Sequence, residues 1–456
     1  MLPSANIAIC GAGIAGVSSA YHLAVRHGMD GVVLIDDRPP LSLTSDKSTE
    51  CYRNWWPGPG DAMVALMNRS IDLLEELASV SGNAFQLNRR GYLYLTADPN
   101  KIPEIQHVAE ESSGLGGGPL RIQRGLASDP AYSPNILDEF PGAPSGADLI
   151  LDQQLIRRYF PYLSPKIVAA LHVRRAGWFS AQQLGSYLLE KARVHGVQLL
   201  QARVKGVELK SGRVQGVRFE DGRSLPSRYF VNAAGPYLKD VGQMLGVELP
   251  IYCELHLKVA FKDHLGIIPR EAPLLIWLDS QFLPWSSEER ELLAADPETH
   301  RLVEEFPPGV HTRPEGPADS PIVLMLWEYS TKEIDPVFPP PLDPDYPEIA
   351  MRGLAAMLPA LTAYFDRPPR PILDGGYYTK TRENRPLIGP LPVEGAFIIG
   401  GLSGYGLMAS LAAGDLLAAY IAGTALPRYA PAFSLDRYQD PVYLDLLENW
   451  GTSGQL

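Results

Sequence analysis

The sequence is poor in cysteine, and this scarcity limits the kinds of site it can build. Its 456 residues include three cysteines, Cys10, Cys51 and Cys253, which are far apart and form no CxxC pair. The cysteine spacing therefore predicts neither a disulfide framework nor a zinc cluster, and no metal site is predicted. So few cysteines are typical of a protein from a reducing compartment.

Positive charge is also scarce. The chain carries 40 Lys and Arg against 52 Asp and Glu, a formal net charge of −12, and no segment gathers the basic residues into a patch. We therefore expect neither a nucleic-acid-binding surface nor a surface for anionic membranes.

Long uncharged hydrophobic runs are missing as well. The longest apolar tract, Gly404 to Gly423, contains Asp415 and recurring glycines, which predicts a buried helix rather than a membrane span. A strand-like run begins at Ala5 and leaves no room for a signal peptide, so we expect a cytoplasmic protein.

A glycine motif near the start of the chain lies between a predicted strand and a predicted helix. The pattern GxGxxG at residues 11–16 follows a predicted strand (5–10) and precedes a predicted helix (14–27), which is the context of a dinucleotide-binding turn. The next predicted strand (32–36) ends on Asp36, a carboxylate suited to ribose hydroxyls and unsuited to a 2′-phosphate. Glycines that merely pack a helix on a strand are the alternative, and the motif does not separate FAD from NAD.

The remaining patterns predict an α/β fold with a second sheet. A helix (181–195), a hairpin (204–219) and a returning strand (229–235) continue the first unit. Other predicted strands belong to a separate, largely antiparallel sheet: 91–96, 254–262, 274–278 and 322–329. Residues 281–321 form a charged excursion with a predicted helix at 287–305.

Three further motifs carry a resemblance to a known family. The sequence VNAAGPY at 231–237 and the segments RPLIGP and GGLSGYG at 385–406 resemble the FAD-dependent D-amino acid oxidase superfamily, in particular its sarcosine oxidase and glycine oxidase branch. The resemblance covers nearly the whole chain apart from residues 281–321.

The resemblance implies a discontinuous, Rossmann-like FAD domain, α/β in class, and an antiparallel-sheet substrate domain, α+β overall. The FAD domain would comprise 1–88, 177–248 and 374–456. The substrate domain would comprise 89–176 and 249–373, with an atypical insertion at about 281–321, and the flavin ring would lie between the two domains.

The glycine motif and the resemblance together predict the residues that contact the cofactor. They are Gly11, Gly13, Ile14, Ala15, Gly16, Asp36, Asp37, Ser45, Ser48, Thr49, Val204, Ala234, Gly235, Gly376, Gly401, Ser403, Gly404, Tyr405, Gly406, Leu407 and Met408. Gly376 stands where monomeric sarcosine oxidases carry their flavin-linking cysteine, and the 42–54 loop has no histidine. We therefore expect FAD to be bound non-covalently.

The resemblance also points to residues for substrate binding and catalysis. Arg53 stands where the branch places an arginine for the substrate carboxylate, with a surface ion pair as the alternative. Met408 replaces the lysine of the branch's carboxylate clamp, so Arg382 and Arg385 are candidate substitutes. Tyr405 is a pocket candidate close to the flavin.

Two predicted strands offer further candidates. Alternation in strand 254–262 places His256 and Lys258 on one face with Glu254, either to serve substrate binding, proton transfer or oxygen reactivity, or as an ordinary solvated face. In strand 322–329 the same alternation sends Trp327 and Tyr329 to one side, as an apolar pocket wall or as core packing.

The first functional hypothesis is an enzyme that oxidises the C–N bond of an amino acid or N-methyl amine by hydride transfer to FAD. The resulting imine hydrolyses, and the electrons pass to O2 or another acceptor. The alternatives are an FAD-dependent 2-hydroxy acid oxidoreductase and a non-catalytic, FAD-bound accessory subunit of a larger complex.

Overall fold

The computed structural model describes residues 4–134 and 142–450. The helices are α1 (Ile14–Tyr21), α2 (Thr44–Lys47), α3 (Ala62–Ser81), α4 (Ile102–Ser112), α5 (Gln153–Tyr159), α6 (Ala181–Val194), α7 (Leu238–Met244), α8 (Ser287–Ala295), α9 (Tyr346–Leu354), α10 (Gly406–Ala422) and α11 (Pro441–Glu448). The strands are β1 (Ala5–Cys10), β2 (Val32–Asp36), β3 (Cys51–Arg53), β4 (Tyr92–Thr96), β5 (Leu120–Gln123), β6 (Ala147–Ile150), β7 (Ala169–Val173), β8 (Ala176–Trp178), β9 (Gln198–Gln201), β10 (Val204–Lys210), β11 (Arg213–Phe219), β12 (Ser224–Asn232), β13 (Tyr252–Lys262), β14 (Leu274–Trp277), β15 (Gln281–Phe282), β16 (Glu305–Phe306), β17 (His311–Pro314), β18 (Ile322–Leu326), β19 (Ile372–Lys380), β20 (Leu387–Pro390) and β21 (Ala396–Gly400).

The first sheet has the order β10-β11-β12-β1-β2-β9, with β21 beside β12 and β20 beside β21. Strand β1 runs parallel to β12 and β2, and β12 runs parallel to β21. The carboxyl ends of β1, β12 and β21 therefore meet at one edge of the sheet, where α/β proteins place their ligands.

Helix α10 packs inside this first unit. The segment Ser403–Ala422 is long and apolar enough to cross a membrane, yet 78% of its most apolar window is buried in the structure. Close packing on α1 explains the glycine within it, because a Cβ at Gly414 would lie 2.4 Å from Ser18 Oγ. The tract folds as the buried helix that the sequence predicts.

The second sheet has nine strands in the order β19-β13-β18-β17-β14-β4-β7-β6-β5, and most neighbouring pairs are antiparallel. This sheet confirms the predicted α/β class with a second, largely antiparallel layer. In β13, His256 lies opposite Gly376 of β19. Strand β19 belongs to this sheet and crosses the domain boundary predicted near residue 374.

The prediction for residues 281–321 was partly wrong in its secondary structure. The predicted helix 287–305 ends at Ala295, because Asp296 precedes Pro297 and adopts extended dihedral angles. Further along, His311–Pro314 forms β17, which pairs with both β14 and β18 in the middle of the nine-stranded sheet. This stretch thus supplies a central strand as well as a surface excursion.

Three buried histidines make stability depend on pH. Burial lowers the pKa of His22, His172 and His311 below the ordinary 6.5. Below pH 6.5 the unfolded chain binds more protons at these positions than the folded chain does, so the free energy of unfolding falls with acidification. Each group contributes up to about 1.4 kcal/mol per pH unit below 6.5.

The measurement is urea unfolding at pH 7.5 and 5.5. His256 offsets part of the loss, because its raised pKa adds stability that is present at low pH and disappears as the pH rises. We expect His172→Gln to lose less stability between the two pH values than the wild type. An equal loss in the two proteins would contradict the assignment.

Candidate active site

Three glycine-rich turns converge where β1, β12 and β21 end. The backbone of Gly11 lies against that of Ala233, so closely that a Cβ at Gly11 would be 2.3 Å from the Ala233 carbonyl oxygen. A Cβ at Gly16 would be 1.9 Å from the Gly11 carbonyl oxygen, and one at Gly404 would be 2.5 Å from the Tyr378 ring. The missing side chain at Gly11 therefore lets the first two turns approach each other, while Gly16 and Gly404 leave room for the Gly11 backbone and the Tyr378 ring.

A cavity of about 90 Å³ lies between these turns and the loop that carries α2. Ser45 belongs to that loop, and its Oγ accepts a hydrogen bond of 3.0 Å from the Ile14 N–H at the start of α1. The predicted cofactor residues that line this cavity are Gly13, Ile14, Ala15, Ser45, Ser48, Gly235, Gly401, Ser403, Gly404, Gly406 and Leu407. The structure therefore brings together residues from four segments of the chain, namely the glycine motif, the 42–54 loop, the segment 231–237 and the segment that follows β21.

The carboxylate of Asp36 lies at the end of β2. Its Oδ2 accepts a hydrogen bond of 2.7 Å from the Ala12 N–H, and its Oδ1 accepts one of 2.9 Å from the Arg38 N–H. Burial raises its pKa, while the two amides oppose that shift. Asp37, in contrast, is exposed and lies 3.6 Å from Arg203.

Three other predicted cofactor residues, Val204, Ala234 and Gly376, are not among the residues that line the cavity. Val204 begins β10, and the Ala234 N–H donates to Asn232 Oδ1. Gly376 packs on α2, where a Cβ would be 2.8 Å from Lys47 Cβ. These positions shape the surroundings of the cavity.

The residues present fit the ADP half of a dinucleotide. Gly13, Ile14 and Ala15 at the α1 N-terminus line the cavity, where a helix N-terminus and close backbone approach would suit a pyrophosphate. The Asp36 carboxylate is bound to the Ala12 amide of the same turn, where it would offer acceptors to ribose hydroxyls.

A second cavity of about 60 Å³ adjoins the first, with Gly404 and Tyr378 lining both. Its walls are formed by Thr49, Cys51, Arg53, Trp56, Tyr92, Leu274, His311, Leu326, Glu328, Tyr378, Gly404, Tyr405 and Met408. The predicted residues Arg53, Thr49, Tyr405 and Met408 therefore come together here. This adjoining cavity is the candidate substrate site.

Arg53 is a buried cation in this cavity. Its side chain comes from β3, its Nε donates to the Trp55 carbonyl at 3.1 Å, and its guanidinium lies 4.6 Å from the Trp56 ring centroid. Across residues 4–134 and 142–450, no acidic side chain forms an ion pair with Arg53. The surface ion pair considered from the sequence is thus not what the structure contains.

Tyr405 forms another wall of the second cavity. Its hydroxyl donates to the Asn384 carbonyl at 2.7 Å, and its ring meets Trp56 edge to face at 5.2 Å. Burial raises its pKa, so the phenol stays neutral.

His311 and Glu328 bring ionisable groups to the same cavity. Burial lowers the pKa of His311, and its Nδ1 lies 2.8 Å from the Gly309 carbonyl, a distance at which Nδ1–H donates. The neutral ring then carries its acceptor lone pair on Nε2. Although burial alone would raise the pKa of Glu328, nearby His256 lowers it, so this side chain is a carboxylate.

The other predicted catalytic residues lie outside the second cavity's walls. His256 stacks on Tyr378 at 3.9 Å and lies between Glu254 and Glu328. Lys258 donates from Nζ to the carbonyls of Asp46 and Ser48, and burial lowers its pKa.

The two arginines proposed as substitutes for the missing lysine lie elsewhere. The Arg385 guanidinium donates to the Pro59 carbonyl and stacks on Trp450 at 4.4 Å, and Arg382 is exposed.

Several residues that line the second cavity were not predicted from the sequence. Trp56, Tyr92, His311 and Glu328 were not assigned to the site from the sequence. For Glu328 a signal was present, since it is the charged residue on the face of strand 322–329 opposite Trp327. Trp327 itself is buried in the hydrophobic core that includes Val259 and Met325 of the nine-stranded sheet, which agrees with the core-packing alternative.

Comparisons with known proteins agree with this architecture. Dimethylglycine dehydrogenase of mitochondria from Rattus norvegicus is 25% identical over 319 residues, covering 67% of this chain and 33% of the relative. This chain thus spans about a third of the length of the curated relatives it matches.

Two solved structures show the same fold. L-Proline dehydrogenase from P. horikoshii has a TM-score of 0.73 at 20% identity, with 96% of this chain and 99% of that chain covered. Iminodiacetate oxidase from Chelativorans sp. BNC1 has a TM-score of 0.69 at 20% identity, with 94% and 98% covered. The family DAO, FAD dependent oxidoreductase, matches residues 6–420. The chain therefore belongs to the DAO family of FAD-dependent oxidoreductases, and its cofactor is FAD.

Proposed function

We propose that this enzyme oxidises the C–N bond of a small amino acid, with N-alkylated amino acids as the favoured class, and that Arg53 holds the substrate carboxylate. The observation that carries the proposal is a buried guanidinium in the second cavity without an acidic partner among the described residues. Such a group is costly unless an anion completes it. A planar fork of donors matches a carboxylate.

The names of similar proteins support the same substrate class. They refer to dimethylglycine, L-proline and iminodiacetate, each of which combines a carboxylate with a substituted nitrogen. Arg53 would fix such a molecule by its carboxylate, and the aromatic rings of Trp56, Tyr92 and Tyr405 would exclude water around it.

FAD, when bound, would supply the hydride acceptor for oxidation of the carbon next to the nitrogen and would pass the electrons on to O2 or another acceptor. The protein orients the substrate and accepts the proton that its ammonium group loses. A substrate amine must lose its ammonium proton before oxidation, and we assign the acceptor role to His311 Nε2. A neutral imidazole with Nδ1–H bound to Gly309 is suited to this role.

We propose the predicted mode of cofactor attachment as well. Gly376 and a 42–54 loop without histidine leave neither of the two attachment residues that the related enzymes use, so FAD is held by non-covalent contacts. Acid precipitation should release all of the flavin into the supernatant, and flavin that remains with the protein pellet would contradict this.

The test is an anaerobic titration of the purified holoenzyme, followed by admission of air. The panel contains D- and L-amino acids, N-methyl amino acids, carboxylate-free amines and 2-hydroxy acids. We expect N-alkylated amino acids to bleach the flavin band near ~450 nm, whereas bleaching by 2-hydroxy acids alone would contradict the proposal. A holoenzyme that stays oxidised with every compound would favour the accessory-subunit alternative, which Met408 at the lysine position of the clamp keeps open.

Asp36→Asn is expected to weaken FAD binding. The substitution removes the negative charge and one acceptor while keeping the shape of the side chain, and hydrogen bonds to charged groups contribute about 1.5–3 kcal/mol. FAD affinity should fall by roughly 10- to 150-fold, measured by flavin fluorescence on reconstitution of the apoprotein.

Asp37→Asn is the matched control. Asp37 is exposed and directed toward Arg38 and Arg203 at the surface, so its replacement should change FAD affinity by less than about 3-fold. An equal loss of FAD affinity in the two variants would contradict the assignment of the ribose contact to Asp36.

A further inference from the structure

A row of charged side chains begins at Glu328, which lies between the second cavity and a neighbouring one. The neighbouring cavity has a volume of about 240 Å³, and its lining includes Tyr329 and Lys332. Glu328 contributes to the walls of both cavities, whereas His256 contributes to the wall of the larger one. The carboxylate therefore stands at the candidate substrate site, with the imidazole behind it.

Charges of opposite sign alternate along this row. Glu328 Oε1 lies 3.0 Å from His256 Nδ1, His256 Nε2 lies 3.1 Å from Glu254 Oε2, and Lys380 Nζ lies 3.0 Å from the same oxygen. Burial opposes the charge on His256, but the two carboxylates raise its pKa above the ordinary value. The row thus places two carboxylates around an imidazole and ends on the Lys380 ammonium group, and the Glu328 carboxylate is the member that lines the second cavity.

This arrangement gives the site one wall of each sign. Arg53 supplies a positive charge and Glu328 a negative one, and both line the same small cavity. The field of Glu328 reaches the other walls, since after burial it is the leading cause of the raised pKa of Tyr378 and it also raises that of His311. A zwitterion would match both walls, while an acid with an uncharged substituent would match Arg53 alone.

We propose that Glu328 recognises the positively charged nitrogen of the substrate and thereby makes the enzyme select zwitterionic amino acids over 2-hydroxy acids. The inference rests on the proposed function, because it takes Arg53 as the carboxylate site. Glu328 would act at the binding stage, before the ammonium proton leaves. His256, whose Nδ1 lies 3.0 Å from Glu328 Oε1, would be the positioning residue that holds the carboxylate in place.

The test measures binding of two dead-end ligands to the oxidised holoenzyme by calorimetry. Trimethylglycine and 3,3-dimethylbutanoate have the same shape and carboxylate, but only the first carries a positive charge. We expect the wild type to bind trimethylglycine at least about 10-fold more tightly. Glu328→Gln should reduce that preference to within about 3-fold, and Glu328→Asp should restore part of it.

Glu254→Gln is the matched control, because Glu254 also binds His256 but is not a wall of the substrate cavity. It should keep the preference. A preference that survives in Glu328→Gln would overturn the inference, and so would an equal loss in both Gln variants, which would indicate a purely structural row.

Arg53→Ala separates this failure from failure of the proposed function. If the carboxylate site is correct, this variant should bind both ligands more weakly, whatever the result for Glu328. Unchanged affinity for both ligands in Arg53→Ala would overturn the proposed function and the inference together. A wild-type holoenzyme that binds neither ligand would do the same.

Discussion

Arg53→Ala should raise the dissociation constant of carboxylate-bearing substrates by roughly 10- to 150-fold. Charge-assisted hydrogen bonds contribute about 1.5–3 kcal/mol each, and every 1.4 kcal/mol is a tenfold change in affinity. The loss should lie near the upper end, because Arg53 is buried and the substitution leaves the bound carboxylate without a charged partner. Binding of the true substrate to the oxidised enzyme, measured anaerobically, is the appropriate readout.

Three comparisons make the Arg53 result specific. Arg53→Lys keeps the charge but loses the planar fork, so it should recover only part of the affinity. Carboxylate-free amines should bind the wild type and Arg53→Ala equally. Arg385→Ala should not weaken substrate binding, since Arg385 lies against Pro59 and Trp450. An unchanged affinity in Arg53→Ala would remove Arg53 from the site.

Local sequence signals were sufficient for the dinucleotide-binding half of the fold. The GxGxxG turn combines a required tight turn with a following helix, and Asp36 ends the next strand at the right spacing. These contacts lie within about thirty residues of one another along the chain, so the sequence alone reveals them.

The walls of the substrate cavity depend on long-range pairing, and this is why His311 and Glu328 escaped prediction. The two residues come from neighbouring chain segments, with His311 opposite Leu326 in the β17–β18 ladder. Which face of that strand borders the cavity is decided by α9, whose Tyr346 stacks on Tyr329 from the other side. Alternation in the sequence gives two faces but does not say which one a helix covers.

Lys258 illustrates the same limit. Its face of β13 was predicted correctly, and the strand's polar side is buried rather than solvated, with His256 only 6% exposed. The direction of its ammonium group follows from the 42–54 loop, which folds into α2 and presents the Asp46 and Ser48 carbonyls. That loop's conformation is set by contacts with a distant sheet.

Arg313→Met should be the most destabilising of the substitutions considered. Arg313 of β17 is fully buried, lies 3.3 Å from Glu50 and 2.5 Å from Glu315, and donates from Nε to the Thr49 carbonyl at 2.8 Å. Removing one partner of a buried ion pair costs about 3–5 kcal/mol, because the remaining carboxylates lose their counter-ion. This is a large share of a typical stability of about 5–15 kcal/mol.

The Arg313→Met substitution should also weaken the binding of FAD. Thr49 and Glu50 continue the loop whose Ser45 and Ser48 line the first cavity. If FAD binds there, freeing this segment should speed FAD release. Urea unfolding with and without excess FAD measures both effects, and added FAD should recover only part of the lost stability. If FAD restored the full wild-type value, Arg313 would act on cofactor binding alone.

Arg301→Met provides the matched control for the stability effect. Arg301 pairs with Asp343 and Asp345 at the surface, where its side chain is 41% exposed. Solvent screens such pairs, and they contribute at most about 1 kcal/mol. The two substitutions remove the same group and differ mainly in burial. The additional loss of unfolding free energy in Arg313→Met therefore measures the cost of uncompensated charge beside the 42–54 loop. Losses of similar size in the two variants would show that Glu50 and Glu315 reach solvent when Arg313 is removed.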